Sequence, residues 1–184
     1  MTPLWQLSAV EQAAGVKNRT FTATELVHSA LGRIEHKNAQ LNAIVDLLDE
    51  SALTAAQAAD AAVADGKTLG PLHGVPVTVK VNVDTKGRAT TNGMEIFKDT
   101  IAPDHSPVVS NLLKAGAILI GRTNTPEMSM RLTTDNPLHG LTRNPWDLQA
   151  SPGGSSGGAA SAGAAGFAAI NHGIAHAGKP RLPL

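Results

Sequence analysis

The 184-residue sequence contains no cysteine and no tyrosine, and aromatic residues make up only 3% of it. The absence of cysteine excludes disulfide bonds and thiolate metal sites. With so few aromatic rings, a hydrophobic core has to be built from alanine, valine, leucine and isoleucine. Such side chains bury less area each, and apolar burial stabilises a fold by roughly 25 cal/mol per Å².

The sequence also lacks an excess of either charge, since 15 lysine and arginine residues balance 15 aspartate and glutamate residues. This balance argues against the basic surface of a nucleic-acid-binding protein, so we expect no nucleic-acid partner. No hydrophobic run is long enough to span a membrane, and residues 1–12 lack the pattern of a secretory signal. We therefore expect a cytoplasmic protein without a membrane partner.

Two helices are predicted in the N-terminal part of the chain. At the start of residues 22–38, Thr22 and Glu25 have capping-box spacing, and apolar residues recur behind them at helical intervals. Residues 51–65 are rich in alanine, the strongest helix former, which predicts a second helix. We therefore expect a helical N-terminal region over residues 1–70.

The pattern then changes from helical spacing to alternation. Residues 74–84 place a valine at every second position, which predicts a strand. Ser106, followed by proline, is a suitable N-cap for a helix, and residues 117–120 predict a buried strand after it. A strand, a helix and a strand in this order predict the start of an α/β core over residues 71–184.

Residues 151–158, SPGGSSGG, place two adjacent serines among four glycines. Such a run occurs in flexible linkers, in loops that bind phosphate through backbone N–H groups, and in loops that hold a nucleophile or a hydrogen-bond relay. Its position between predicted elements disfavours a linker. A Walker-type phosphate loop is disfavoured too, because alanine rather than Lys-Ser or Lys-Thr follows Gly158.

The segment 153–157 also matches G-x-S-x-G, the nucleophile elbow of α/β-hydrolases. That fold requires an acidic residue and then a histidine later in the chain, and no aspartate or glutamate follows Ser156. His172 and His176 have the spacing of helical metal ligands, but a third ligand is missing. We therefore expect neither a Ser-His-Asp enzyme nor a metal site.

A lysine can activate a serine in place of a histidine. A lysine base must be neutral near pH 7, so burial or nearby positive charge has to lower its pKa from the ordinary value of about 10.4. Lys80, between Val79 and Val81, is the candidate. The same alternation is consistent with Lys80 on the solvated face of a one-sided sheet, and the pattern alone leaves both interpretations open.

Five segments in chain order together resemble the amidase signature family: TATELVHSALGRIEHKNAQLNAIV, GPLHGVPVTVKVNVD, LLKAGAILIGRTNTPEM, GLTRNPWD and SPGGSSGG. The resemblance implies an α/β fold with a mixed sheet flanked by helices. It implies hydrolysis of the C–N bond of a small-molecule amide by a Ser-Ser-Lys triad, with no organic cofactor and no metal. The family pattern places the lysine at Lys80 and the bridging serine, which follows a cis peptide bond, at Ser155.

The family carries its nucleophilic serine in a second glycine-rich turn, whose matching position here is Lys179, 24 positions after Ser155. Two other positions of that turn hold Ala175 and Ala177. A lysine ammonium cannot form the acyl-enzyme ester that a serine forms. Family members also continue for several hundred residues, so we expect a truncated, N-terminal portion of the fold that is inactive as written.

Two other functions remain open at the level of the sequence. One is a non-catalytic remnant that at most binds a partner or a ligand. The other is an unrelated protein that binds a small anion through the glycine-rich loop. The sequence specifies neither the amide nor the oligomeric state.

Overall fold

Within residues 2–174, which the computed structural model describes, the chain forms five α-helices and four β-strands. In chain order they are α1 (Ala9–Lys17), α2 (Ala23–Leu41), β1 (Ile44–Leu47), α3 (Asp49–Ala64), β2 (Pro76–Lys80), α4 (Pro107–Lys114), β3 (Ile118–Thr123), α5 (Gly157–Ala164) and β4 (Ile170–Asn171).

The four strands form one mixed sheet in the order β1-β3-β2-β4. β1 is antiparallel to β3, whereas β2 is parallel to both of its neighbours, β3 and β4. α4 connects the parallel strands β2 and β3, as a crossover between parallel neighbours requires. The mixed sheet and the α/β class confirm the fold class expected from the sequence.

Helices cover both faces of the sheet. Ile118 and Ile120 of β3 pack into the largest core cluster together with residues of α2, α3 and α5. Leu119, between them in sequence, points to the other face and packs with Val77 of β2 and Leu112 of α4. Because side chains alternate along a strand, β3 contributes to both of these layers.

The predicted strand over residues 74–84 is shorter in the structure and is buried on both sides. β2 ends at Lys80, and Val83 N–H donates to the Lys80 carbonyl at 3.0 Å to form a turn. Thr78 and Lys80 are as fully buried as the valines of this strand. The solvated-face interpretation of Lys80 was therefore wrong, because β2 is an inner strand covered on both faces.

The helix starts follow their predicted caps. Thr22 Oγ1 accepts a hydrogen bond from Glu25 N–H at 3.0 Å, and the Glu25 carboxylate accepts one from Thr22 N–H at 2.8 Å. Ser106 caps α4, which begins at Pro107 as predicted. This reciprocal box and the serine cap satisfy backbone donors that a helix leaves unpaired at its start.

The N-terminal region, expected to be helical, also contributes a strand that the sequence reasoning missed. Asn42 ends α2 in the left-handed conformation with φ 50°, which reverses the chain into β1. The Asn38 side chain fixes this turn, because its Oδ1 accepts from Ala43 N–H at 3.0 Å and from Ile44 N–H at 2.9 Å. The start of β1 is therefore determined by polar contacts at a turn, and not by a long alternation of apolar and polar residues that the sequence could have revealed.

Candidate active site

The structure brings together Lys80 and Ser155, which lie 75 positions apart in the sequence. Lys80 Nζ donates a hydrogen bond to Ser155 Oγ at 3.0 Å. Lys80 is 0% exposed and Ser155 is 3% exposed, so the contact is closed to bulk solvent. Lys179, which the family resemblance places at the nucleophile position, lies outside the described residues.

The strand pattern explains how a lysine comes to be buried here. Lys80 is the last residue of β2 and is the register partner of Thr123 on the parallel strand β3. Val79, which precedes Lys80 in β2, points to the opposite side of the strand and is buried. The alternation therefore directs the lysine toward the glycine-rich loop at residues 151–158, which covers it.

The glycines of this loop allow close approach to neighbouring backbone. A Cβ added at Gly154 would lie 2.6 Å from the carbonyl oxygen of Arg131. A Cβ at Gly158 would lie 2.5 Å from the backbone nitrogen of Asn124. The peptide bond between Gly154 and Ser155 is cis, as the family resemblance implies. Because these glycines have no side chain, the loop that carries Ser155 can pack directly against the backbone of Arg131 and Asn124.

A threonine ties the two ends of the loop together. Thr134 Oγ1 donates to the Gly153 carbonyl at 3.0 Å and accepts from Gly157 N–H at 3.1 Å. Both partners flank Ser155 in sequence, so this one side chain restrains the loop before and after the serine. The sequence reasoning gave Thr134 no role.

A chain of polar side chains also reaches the main chain of Ser155. Thr125 Oγ1 donates to the Ser155 carbonyl at 3.3 Å and lies 2.9 Å from Ser129 Oγ. Since the one hydroxyl proton of Thr125 points to that carbonyl, Ser129 is the donor to Thr125. Asn82 Nδ2 donates in turn to Ser129 Oγ at 2.9 Å. Asn82 follows Lys80 by two positions, and strand alternation was the signal that could have placed it on the same side.

The segment after β4 lies against the loop as well. Ser156 Oγ donates to the Ile174 carbonyl at 3.1 Å and accepts from Ile174 N–H at 3.0 Å. His172 N–H donates to the Thr78 carbonyl at 2.9 Å. Burial lowers the pKa of His172. The last described residues, His172 and Ile174, therefore lie close to the Lys80–Ser155 contact.

Residues 2–174 contain no group of three or more His, Cys, Asp or Glu side chains placed to hold a metal ion. His176, considered with His172 as a metal ligand, lies outside the described residues. None of the helices in the described part of the chain is long and apolar enough to cross a membrane.

Comparisons with known proteins agree with the sequence motifs. The family model named Amidase matches residues 25–183. The chain is 55% identical over 181 residues to an indoleacetamide hydrolase of Bradyrhizobium diazoefficiens, which covers 98% of this chain and 34% of the relative. It is 41% identical over 183 residues to one subunit of the glutamyl-tRNA(Gln) amidotransferase of Acidothermus cellulolyticus, with 100% of this chain and 36% of the relative covered. The chain thus spans about a third of the length of these curated relatives.

Solved structures give the same result for the fold. A fatty acid amide hydrolase superposes with a TM-score of 0.89 at 31% identity, over 93% of this chain and 31% of that chain. A bacterial aryl acylamidase of the amidase signature family superposes with a TM-score of 0.87 at 34% identity, over 91% of this chain and 35% of that chain.

Proposed function

Because the chain belongs to the amidase family, we propose that Lys80 and Ser155 are the base and the bridging serine of a Ser-Ser-Lys site for amide hydrolysis. The observation that supports this proposal is the 3.0 Å contact between Lys80 Nζ and Ser155 Oγ in a region closed to solvent. A fully buried surrounding favours the neutral amine over the ammonium, and the neutral amine is the form that accepts a proton.

In the proposed reaction, the nucleophilic serine of the second turn gives its proton to Ser155 Oγ. Ser155 passes its own proton to Lys80 Nζ across the same 3.0 Å distance. The serine oxygen attacks the amide carbonyl, and backbone N–H groups of the second turn stabilise the oxyanion. The proton returns along the relay to the leaving nitrogen as the C–N bond breaks. Water then hydrolyses the acyl-enzyme ester.

This chain has a lysine at position 179, where the family pattern has that serine. An ammonium group has no hydroxyl with which to form the ester. We therefore propose that the unmodified chain does not turn over amides. The alternative function is a non-catalytic remnant that binds a ligand or a partner, and Lys179 is the observation that favours it.

For the substrate class, we propose a primary amide on an aromatic acetic acid. The support is the 55% identity to an indoleacetamide hydrolase, against 41% to the amidotransferase. The balanced charge of the chain gives no support for a tRNA partner. We also propose a cytoplasmic location, which rests on the sequence alone.

The test is a chimera in which residues 1–172 are joined to the remaining part of the Bradyrhizobium hydrolase. Ammonia release from indoleacetamide is measured for the unmodified chain, for the chimera, and for the chimera with Lys80→Met or Ser155→Ala. We expect turnover from the chimera alone, and a loss of roughly 10²–10⁴-fold in each variant, as is typical for an acid–base group. A Lys80→Met chimera with undiminished turnover would overturn the assignment.

A further inference from the structure

The backbone carbonyl of Ser155 is held by the side chain of a buried threonine. Thr125 Oγ1 donates to this carbonyl at 3.3 Å, and among the hydrogen bonds of residues 2–174 it is the one donor that the carbonyl has. Thr125 is 0% exposed and Ser155 is 3% exposed. Because a buried carbonyl is costly to leave unpaired, this contact favours one orientation of the Ser155 main chain.

Thr125 is itself fixed at both of its backbone groups. Asn124 Oδ1 accepts from Thr125 N–H at 2.9 Å, and Asn136 Nδ2 donates to the Thr125 carbonyl at 2.7 Å. Asn136 Nδ2 also donates to Asn124 Oδ1 at 2.8 Å, so the two side-chain amides hold each other in place. Both asparagines are buried. The Thr125 hydroxyl therefore reaches Ser155 from a rigid base.

A strained turn holds the Thr125 hydroxyl from its other side. Ser129 Oγ lies 2.9 Å from Thr125 Oγ1 and accepts from Asn82 Nδ2 at 2.9 Å. Ser129 and the preceding Met128 have left-handed φ values of 59° and 49°, which are unfavourable for residues with a side chain. Ser129 is buried, whereas Met128 is 52% exposed. The turn thus directs the serine hydroxyl inward in spite of the backbone strain.

These contacts form a second connection between the two residues of the candidate active site. The first is the 3.0 Å hydrogen bond from Lys80 Nζ to Ser155 Oγ. The second starts at Asn82, two positions after Lys80, and runs through Ser129 and Thr125 to the Ser155 carbonyl. Ser155 is therefore held at its side chain and at its main chain by groups that start from the same end of β2.

We propose that Thr125 is a positioning residue, which fixes Ser155 so that its Oγ stays within proton-transfer distance of Lys80 Nζ. Thr125 acts on the reacting hydroxyl through the serine main chain, because its contact is with the carbonyl. The catalytic consequence rests on the proposed Ser-Ser-Lys relay, in which a displaced Ser155 Oγ slows proton transfer. The restraint on the loop is measurable separately, in the chain as it stands.

The first experiment measures hydrogen–deuterium exchange of residues 151–158 in the full chain by mass spectrometry. Thr125→Val keeps the branched shape but removes the donor, and should raise exchange in this segment about 2- to 10-fold, as expected for loss of one buried hydrogen bond. Thr125→Ser keeps a hydroxyl and should exchange like the unmodified chain. Thr85→Val is the matched control, because Thr85 is 3% exposed and its Oγ1 also donates to a backbone carbonyl, that of Val83, at 3.3 Å.

Unchanged exchange in Thr125→Val, or an equal rise in the Thr85→Val control, would overturn the proposal. Should Thr125→Val fail to fold, Ser129→Ala removes the donor to the Thr125 hydroxyl and leaves Thr125 in place. It should raise exchange in the same segment, and a segment that exchanges as in the unmodified chain would overturn the proposal as well.

The second experiment measures kcat and KM for indoleacetamide in the chimera described above. Thr125→Val should lower kcat about 10- to 100-fold with KM nearly unchanged, because a misplaced catalytic group slows the chemical step more than binding. Thr125→Ser should restore kcat, and Thr85→Val should leave both constants unchanged. An unchanged kcat in Thr125→Val, in a chimera that Lys80→Met inactivates, would overturn the positioning role. Undiminished turnover in the Lys80→Met chimera would overturn the relay instead, and the exchange measurement would still decide whether Thr125 holds Ser155.

Discussion

Asp46 of β1 and Arg122 of β3 lie directly opposite each other in the antiparallel pair of these strands, and their side chains form an ion pair across it. Their Cα positions are opposite each other in the register, and Arg122 Nη1 lies 3.1 Å from Asp46 Oδ2. The Asp46 side chain is 19% exposed, against 1% for Arg122. β1 is thus attached to the sheet by a charged cross-strand pair as well as by its backbone ladder.

Replacement of Asp46 by asparagine should destabilise the fold strongly, because it leaves the buried Arg122 charge without its counter-ion. Breaking a buried pair typically costs 3–5 kcal/mol, and the partial exposure of Asp46 reduces our expectation to about 2–3 kcal/mol. The measurement is the free energy of unfolding in urea at pH 7. Asp104→Asn, at an 81% exposed carboxylate paired with Lys86, is the control and should change stability little.

The same pair predicts an acid-dependent loss of stability. The net pKa of Asp46 is lowered in the folded state, because the arginine hydrogen bonds outweigh its burial. Its contribution is therefore fully present above the unfolded value of about 3.9 and is lost as the pH falls through the lower folded value. Urea unfolding between pH 6 and pH 2 measures this loss. The free energy of unfolding should depend less steeply on pH in Asp46→Asn. An unchanged pH dependence would contradict the attribution of this loss to Asp46.

Gly158→Ala should destabilise the glycine-rich loop. Its Cβ would lie 2.5 Å from backbone atoms of Asn124, so the first turn of α5 would have to move away from β3. Overpacking of this kind costs about 1–3 kcal/mol. Gly163→Ala in the same helix is the matched control, because its Cβ would lie 3.5 Å from the nearest atom, Asn171 Nδ2. Alanine there should be neutral or slightly stabilising by helix propensity. Equal thermal midpoints for both variants would contradict this explanation of Gly158.

Much of this architecture was accessible from local sequence signals. The capping box at Thr22 and Glu25 and the Ser106 cap predicted helix starts because each signal lies within four residues. The burial of Lys80 was not accessible in this way, because it depends on a loop 75 positions away. Only the family resemblance joined Lys80 to Ser155. Thr125 and Thr134 support that loop but were not predicted to do so, because isolated threonines between turns show no periodic pattern.

Two half-buried histidines predict a second pH effect near neutrality. Burial lowers the pKa of His139 and of His172, and repulsion from the Arg122 charge lowers the pKa of His139 further. Both folded values lie below the unfolded value of about 6.5, so the folded state binds protons less readily than the unfolded state. Stability should therefore be greatest above pH 6.5 and should decrease as the pH falls below it.

The free energy of unfolding between pH 8 and pH 5 measures this decrease. His172→Gln and His139→Gln should each make the dependence shallower, whereas the solvent-exposed His36→Gln serves as the control. A free energy of unfolding that rises as the pH is lowered from 8 to 5 would contradict the lowered pKa values of these histidines in the folded state.

Lys179→Ser alone should not produce an active amidase, although it restores a hydroxyl at the family's nucleophile position. In the proposed reaction the second turn presents the oxyanion donors, but Ala175 and Ala177 replace two residues of the family pattern there, and Pro180 has no N–H group to donate. Loss of one oxyanion donor typically reduces turnover by about 10²–10³-fold. Ammonia release from indoleacetamide by Lys179→Ser should therefore stay at background, while the chimera with the complete turn hydrolyses the amide. Turnover by the unmodified chain that Ser155→Ala abolishes would contradict this prediction, because it would make Ser155 the nucleophile instead of the bridging serine.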